Sequence, residues 1–367
     1  MRILHCVDDN RLVWSRPWRQ LLRAVGEQME GVEQVVVCRP GGTLEHLIRK
    51  DGLRVITYEP YLSWSPQLCR HFAQIVADVQ PNVIHTRLST AAAIAGFWGK
   101  KFNIPVVSTV DKYPRGKYYR RSTVLVPCST AVRNHMEAKG FSNDQMRVII
   151  NPIRVDDYRH ESVARTKFRD SMNLGDHRLV ALAMGRFVKW KGFDLLVQSA
   201  SHLKIDMPWE LWIVGEGPMK EELERLAQKS MQENPSVAIR LFPFAEDVRP
   251  FLWAADLFVQ PSYYVPGSGG PEGLSMALME ALAAGLPVVV FECGGAIDVV
   301  KEGYTGWLAS PGDQSALAQA MERGLHRARD SQIRCNVKEM IQNHDVAITA
   351  QEYIGVYRNV VSGDNTR

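Results

Sequence analysis

Two glutamates eight positions apart bracket the stretch of this 367-residue chain that is richest in chemistry. It opens with Gln260-Pro261-Ser262 and a loop of small and turn residues from Tyr263 to Pro271. Glu272-Gly273-Leu274-Ser275-Met276-Ala277-Leu278-Met279-Glu280 follows. The separation is a little over two helical turns, so both carboxylates can lie on one side of a helix, with Glu272 just before its start and Glu280 within it. The backbone N–H groups of Gly273 to Met276 then stand at a helix N-terminus, where free donors and the helix dipole suit a phosphate. Glu280 sits among Ala281, Ala283 and Ala284 and needs a partner, because an unpaired carboxylate in apolar surroundings is costly. A helix cap at Glu272 and a surface acid at Glu280 form the plain alternative.

A second cluster lies upstream. Gly185-Arg186-Phe187-Val188-Lys189-Trp190-Lys191-Gly192 follows directly on an apolar run over 179–184. Glycine at a strand end lets the backbone turn tightly beside a bulky ligand. Arg186 and Lys191 offer a planar fork and a mobile ammonium to a diphosphate. Taken alone, this is equally a strand-to-helix loop with surface cations.

These clusters require a scaffold. Strands read at 2–7, 33–38, 53–57, 83–86, 105–110, 122–128 and 146–150, with amphipathic stretches at 66–79 and 89–102 between them. Near 151–160 the pattern breaks at Asn151-Pro152, a turn signal that marks a domain linker. Alternation then restarts, with strands at 179–184, 209–214, 237–242, 256–260 and 287–291. Helices fall near 192–203, 219–233, 247–253 and 274–284, and 314–361 reads as wholly helical. Such alternation implies parallel βαβ units, here two doubly wound sheets in tandem. Ligands sit at the carboxyl ends of such strands, which points to the crevice between the two domains.

Composition agrees with a globular α/β chain: 46% of residues are hydrophobic and 23% charged. No apolar run reaches the ~18 residues of a membrane-spanning helix. The N-terminus meets Asp8-Asp9 too early for a signal peptide and reads as a first strand. Cys6, Cys38, Cys69, Cys128, Cys293 and Cys335 are scattered without metal-ligand spacing, as reduced thiols in a cytoplasmic protein would be. The charge is uneven: residues 1–160 carry 23 Lys and Arg against 14 Asp and Glu, and the remainder 21 against 26. A basic half suggests an anionic partner such as a phospholipid surface, a phosphorylated glycan or nucleic acid.

Pro261-Ser262, Glu272-x7-Glu280-Ala281, Ala284-Gly285-x-Pro287-Val288-Val289 and Gly294-Gly295 together resemble the signature of the retaining GT-B glycosyltransferases of the bacterial group-four (glycosyl transferases group 1) type. Gly185-Arg186, Lys191-Gly192 and Val214-Gly215-Glu216-Gly217-Pro218 fall where that family has its donor-phosphate and glycine-rich turns. Further likeness runs through Val83-Ile84-His85, Ile104 to Thr109, Cys128-Ser129 and Asn151-Pro152. The resemblance implies an α/β GT-B fold: two doubly wound, Rossmann-like domains facing a central cleft. Residues 1–158 would bind acceptor and 159–345 the nucleotide sugar, and the C-terminal helix in 346–367 would return to the N-terminal domain.

The resemblance also implies roles. Gly185, Arg186, Lys191 and Gly215 would surround the donor diphosphate, with Arg186 and Lys191 steadying it as leaving group. Glu280 would accept hydrogen bonds from the ribose hydroxyls, and Glu272 would contact the transferred sugar. Backbone N–H groups of Ser275, Met276 and Ala277 would receive the distal phosphate, and Gly273 and Leu274 would also belong to the donor site. Phe244 matches the strand end that meets the base, although core packing serves it as well.

Several positions depart from the family pattern. Asp8-Asp9-Asn10-Arg11-Leu12-Val13-Trp14-Ser15-Arg16 replaces a glycine-rich loop, Asp111 replaces a frequent histidine, and Asp298 replaces a frequent glutamate. Arg11, Arg16, Asp111, Arg115 and Lys117 are the acceptor-side candidates. The segment 112–121 interleaves cations with tyrosines, which suits a membrane interface, an anionic acceptor or a solvated loop; no recognised nucleic-acid motif accompanies it, and nucleic acid is not an expected partner. Arg19 and Arg23 add to the anionic-acceptor reading, and Trp14 and Trp18 fit sugar stacking or packing alike.

The expected activity is retaining transfer of a hexose from a nucleotide sugar, UDP-linked by preference, to a glycan or lipid-linked acceptor in envelope polysaccharide or lipopolysaccharide biosynthesis. The expected place is the cytoplasm, or the inner face of the cytoplasmic membrane. No cofactor is expected and no metal, because Arg186, Lys191 and the helix N-terminus supply positive potential and no Asp-x-Asp loop is present. A GDP- or ADP-sugar donor and a non-catalytic scaffold remain the alternatives. No G-x-G-x-x-G follows any predicted strand, which argues against a dehydrogenase.

Overall fold

The computed structural model describes residues 1–11, 15–62, 65–267 and 272–363. They form two compact units: Met1–Arg154 together with the C-terminal segment from His344, and Val155–Asn343. The chain thus leaves the first unit within the linker expected at 151–160 and re-enters it at His344.

In the first unit β1 (Arg2–Val7), α1 (Ser15–Gln28), β2 (Glu33–Cys38), α2 (Thr43–Lys50), β3 (Arg54–Thr57), α3 (Arg70–Val79), β4 (Val83–Arg87), α4 (Ser89–Phe102), β5 (Val106–Val110), β6 (Val124–Pro127) and α5 (Thr130–Glu137) follow one another. The strands make one parallel sheet in the order β3-β2-β1-β4-β5-β6. Every residue of β4, β5 and β6 is buried, as strands covered by helices on both faces must be. The strand expected at 146–150 does not form. Arg147 and Ile149 donate to the carbonyls of Leu125 and Pro127, but only an isolated bridge, Met146 to Leu125, results. A parallel ladder there would require a return bond from residue 127, and Pro127 has no N–H.

The second unit runs α6 (Ser162–Ser171), β7 (Leu179–Met184), α7 (Phe193–Ala200), β8 (Trp209–Val214), α8 (Lys220–Glu233), β9 (Val237–Phe242), α9 (Arg249–Ala254), β10 (Leu257–Gln260), α10 (Met276–Ala283), β11 (Val288–Phe291), α11 (Ala296–Val299), β12 (Gly306–Ala309), α12 (Gln314–His326) and α13 (Ser331–Gln342). Its sheet is again parallel, in the order β12-β11-β10-β7-β8-β9. Strand β12 was not expected from sequence; it is four residues long and opens on Gly306, which lies against the Val288 carbonyl. The tract 314–361 is helical, in three successive helices. Asp330 and Asp345 cap new helices by accepting from Ile333 and Ala347 N–H, the second helix being α14 (Val346–Ser362).

Helix α14 packs on α1 in the first unit. Val346, Ala350, Tyr353, Ile354, Tyr357 and Val360 join Ile3, Leu21 and Val25 in one buried cluster. Polar bonds run beneath it. Tyr357 OH and His85 Nδ1 are 2.7 Å apart, His85 Nε2 and Thr109 Oγ1 2.8 Å, and Thr109 Oγ1 and Tyr353 OH 3.0 Å. His5 stacks edge-on to His85 and bonds to Gln34 Oε1 at 3.1 Å. Burial holds both histidines neutral: it lowers His5 to about 3 against the Gln34 bond, and lowers His85 with help from His5 and Arg87.

These two rings make the first unit sensitive to acid. The unfolded chain protonates them near pH 6.5 while the folded chain does not, so stability is full above that pH and lost as pH falls below it. Each ring contributes a slope of up to ~1.4 kcal/mol per pH unit. Urea midpoints measured between pH 7.5 and 5 should fall steadily below pH 6.5. A flat profile would show that the rings are accessible to protons in the folded state.

Candidate functional site

In each sheet the strand order reverses beside the unit's first strand: β1 lies between β2 and β4, and β7 between β8 and β10. A ligand crevice belongs at the carboxyl ends of the strands flanking such a reversal. In the second unit those ends carry both clusters singled out in the sequence.

Backbone contacts through glycine hold the loops together there. Gly215 has φ +154°, and a Cβ on it would lie 2.0 Å from the Gly185 carbonyl oxygen, so the turns after β7 and β8 touch main chain to main chain. Gly192 has φ +69°, and its Cβ would lie 2.1 Å from the Pro261 carbonyl oxygen, which seats the β7 turn on the end of β10. Tyr263 N–H donates to the Trp190 carbonyl across the same junction (3.0 Å).

This packing brings Lys191 to Glu272. The Lys191 side chain is buried and its Nζ donates to Glu272 Oε1. Arg186 is exposed and has no ion pair or side-chain hydrogen bond among the described residues. Glu272 lies in the loop ahead of α10 rather than on it, and Ser275 is the N-cap. The Ser275 hydroxyl does not cap the helix but donates to Gln260 Oε1 (2.8 Å), and Gln260 Nε2 donates to Ser262 Oγ (2.7 Å). The first-turn N–H groups of α10, beginning at Met276 and Ala277, are therefore left without a side-chain cap. Gly273 and Leu274 are buried just before them. Within the helix, Glu280 accepts a hydrogen bond from Tyr158 OH (2.9 Å), which supplies the partner its surroundings demand.

Phe244 is not a core residue: it is 63% exposed, two residues past the end of β9. Residues 268–271 of the loop before Glu272 lie outside the described residues. Sequence reasoning missed Tyr158 and Cys293. Cys293 donates to the Ser262 carbonyl (3.0 Å) and lines a small recess with Glu272, Ser275 and Phe291. Burial, reinforced by the Glu272 charge, pushes its thiol up to about 11, so it stays protonated.

In the first unit the carboxyl ends of β4 and β5 hold a charge pair. Arg87 is buried, and its Nη1 lies 3.7 Å from Asp111 Oδ1. Arg87 was not singled out in the sequence, although a cation closing an apolar strand was the available signal. Arg11 is exposed with its N–H on Asp9 Oδ1 (2.9 Å), and Arg16 is exposed on α1. Arg115 and Lys117 are exposed, with the Lys117 ammonium 5.1 Å from the centre of the Tyr118 ring. Arg19 and Arg23, added to the anionic-acceptor reading from sequence, both pair with Asp51, at 2.5 and 2.9 Å. Trp18 is fully packed among Val7, Leu22, Val36 and Leu44, which rules out stacking on a sugar. Trp14 lies outside the described residues.

The profile of the family described as Glycosyl transferases group 1 matches residues 164–347, and that of Glycosyltransferase Family 4 matches residues 18–157. The chain belongs to the glycosyl transferases group 1 family. It is a glycosyltransferase with two Rossmann-like units. A lipopolysaccharide core biosynthesis glycosyltransferase of Rhizobium meliloti, LpsE, is 28% identical over 83% of this chain and 82% of that protein. A GDP-mannose-dependent alpha-(1-6)-phosphatidylinositol monomannoside mannosyltransferase of Mycolicibacterium smegmatis is 33% identical, but over 46% of this chain and under half (44%) of that protein. Anabaena HepE, solved in complex with UDP, shares the fold with a TM-score of 0.82 at 18% identity, covering 98% of this chain and 100% of that one.

The glycine junction can be tested in this glycosyltransferase without substrate. Gly192→Ala meets both a positive φ and the Pro261 carbonyl, whereas Gly303→Ala meets the same φ of +69° with open space around it. Gly303→Ala should cost ~1 kcal/mol and Gly192→Ala over ~3 kcal/mol. Equal losses in chemical denaturation would mean that the β7 turn does not depend on close backbone contact with β10.

Proposed function

We propose that the chain transfers a hexose from a nucleotide sugar, UDP-linked by preference, to a glycan or lipid-linked acceptor of envelope polysaccharide or lipopolysaccharide, with retention and without metal. The observation that carries this reading is the junction of Arg186, Lys191, Glu272 and the uncapped α10 N-terminus at the strand-order reversal of the second unit. It gathers two cations and a helix dipole where a diphosphate leaving group gains charge. Phe244 offers an exposed ring to the base, Glu280 a carboxylate to the ribose, and Glu272 a carboxylate to the transferred sugar.

In this reading the bond from the anomeric carbon to the diphosphate oxygen breaks while a bond to the acceptor hydroxyl forms on the same face. The hydroxyl proton passes to the departing diphosphate, so no side chain acts as a strong base. Asp111, held beside Arg87, is an acceptor for a sugar hydroxyl and not a proton donor when ionised. Support for UDP comes from HepE, which was solved with UDP and with UDP-glucose, and support for the acceptor class from LpsE. The mannosyltransferase relative favours a GDP-sugar as the second reading. Exposed Arg115 and Lys117 suit an anionic acceptor or membrane surface, and among the described residues no helix is long and apolar enough to cross a membrane.

A thermal-shift screen against UDP, GDP, ADP and their sugars tests the site. One nucleotide should raise the melting temperature, with the shift lost in Arg186→Ala and Glu280→Ala and enlarged in Glu272→Gln, which frees Lys191. No shift from any nucleotide would overturn the reading. With the donor known, turnover should be unchanged in EDTA; loss restored by magnesium would overturn the metal-independent step.

A further inference from the structure

We propose that Tyr158 is a positioning residue for Glu280: it holds that carboxylate in the orientation that receives the ribose, and so sets the preference for ribonucleotides over 2′-deoxyribonucleotides. This rests on the reading of the second unit as the nucleotide site.

Glu280 lies in the second half of the eight-residue helix α10, between the buried Met279 and Ala281. A glutamate there has several side-chain torsions to immobilise before it can serve as a fixed acceptor. Tyr158 supplies the fixed point. Its side chain is only 4% exposed, and it closes the single 3-10 turn Val155–Tyr158, which packs on α10. The Tyr158 carbonyl accepts from Trp253 Nε1 on α9 (3.2 Å), and its hydroxyl donates to Glu280 Oε1 (2.9 Å). The residue is therefore tied at both ends.

The polarity of the second bond is not negotiable. An ionised carboxylate only accepts, so the phenol must donate. That bond holds Oε1 in place and narrows the orientations from which the carboxylate accepts from a ligand. The phenol also offsets the cost of holding a negative charge among apolar side chains. A rigid ring with two torsions achieves this with little disorder of its own, and it does so without adding a charge to the ribose pocket.

Isothermal titration of UDP, GDP and ADP, each beside its 2′-deoxy counterpart, tests the inference on the full chain. Wild type is compared with Tyr158→Phe, Glu280→Gln and the double variant. Tyr158→Phe keeps the ring and the backbone bond to Trp253. It should weaken the best ribonucleotide by about tenfold, as expected for a hydrogen bond to a charged group, and its 2′-deoxy analogue by far less. It should add nothing on top of Glu280→Gln. In turnover, KM for the donor should rise while kcat holds.

An unchanged ratio of ribo- to deoxyribonucleotide affinity in Tyr158→Phe, or equal weakening of both, would overturn the positioning role while leaving the nucleotide site standing. Absence of nucleotide binding to wild type, or no effect of Glu280→Gln, would overturn the reading of the site and this inference with it.

Discussion

A parallel strand covered by helices on both faces tolerates charge only where a partner can reach it. In β7, β8, β10 and β11 every residue is buried. The one acid among them, Glu210, sits near the start of β8 and is met by Arg178, Arg240 and Trp212 Nε1. Chemistry is thereby confined to the strand ends. At the carboxyl ends of β7, β8 and β10 the loops must lie closer together than side chains allow. Gly192 and Gly215 remove the obstructing Cβ atoms, and the main chains of three turns come into contact. Lys191, Glu272 and the start of α10 hold their places because of that contact.

The two units handle their strand ends differently. The second gathers the exposed Arg186, the buried Lys191 and an uncapped helix, a place suited to a ligand carrying negative charge. The first binds its carboxyl-end cation inward: Arg87 is buried beside Asp111 and influences a neutral chain of His5, His85, Thr109, Tyr353 and Tyr357. That chain secures α14, the last helix among the described residues, against a sheet formed by residues 2–127. Hydrophobic burial supplies most of the attachment, while the polar bonds select one register of α14 over others.

Much of this was legible in the sequence. Apolar runs of four to six residues identified all strands but β12, because buried parallel strands leave continuous hydrophobic segments with glycine or proline at their ends. Gly306-Trp307-Leu308-Ala309 escaped because a four-residue run opened by glycine has no pattern of its own; its pairing with β11 makes it a strand. The run 146–150 misled for the opposite reason, since its own composition suits a strand and only Pro127 across the edge denies it a ladder. The tract 314–361 was legible as helical, and Asp330 and Asp345, each accepting from the N–H groups of the helix that follows, divide it into three helices.

Residue type and spacing alone determined the two clusters, their order along the chain, the alternation that implies doubly wound sheets, and the family resemblance they carry. Those properties are local: a turn needs its glycine and a helix start its donors whatever lies elsewhere. Tertiary structure decided the partners. Tyr158 reaches Glu280 across 122 positions, Tyr357 reaches His85 across 272, and Lys191 finds Glu272 across 81. It also decided the surroundings of the candidate residues, pairing Arg19 and the exposed Arg23 with Asp51 and packing Trp18 into the core while leaving Arg186 in solvent. Contacts between residues so far apart depend on how whole strands and helices pack, and no short window of sequence encodes that packing.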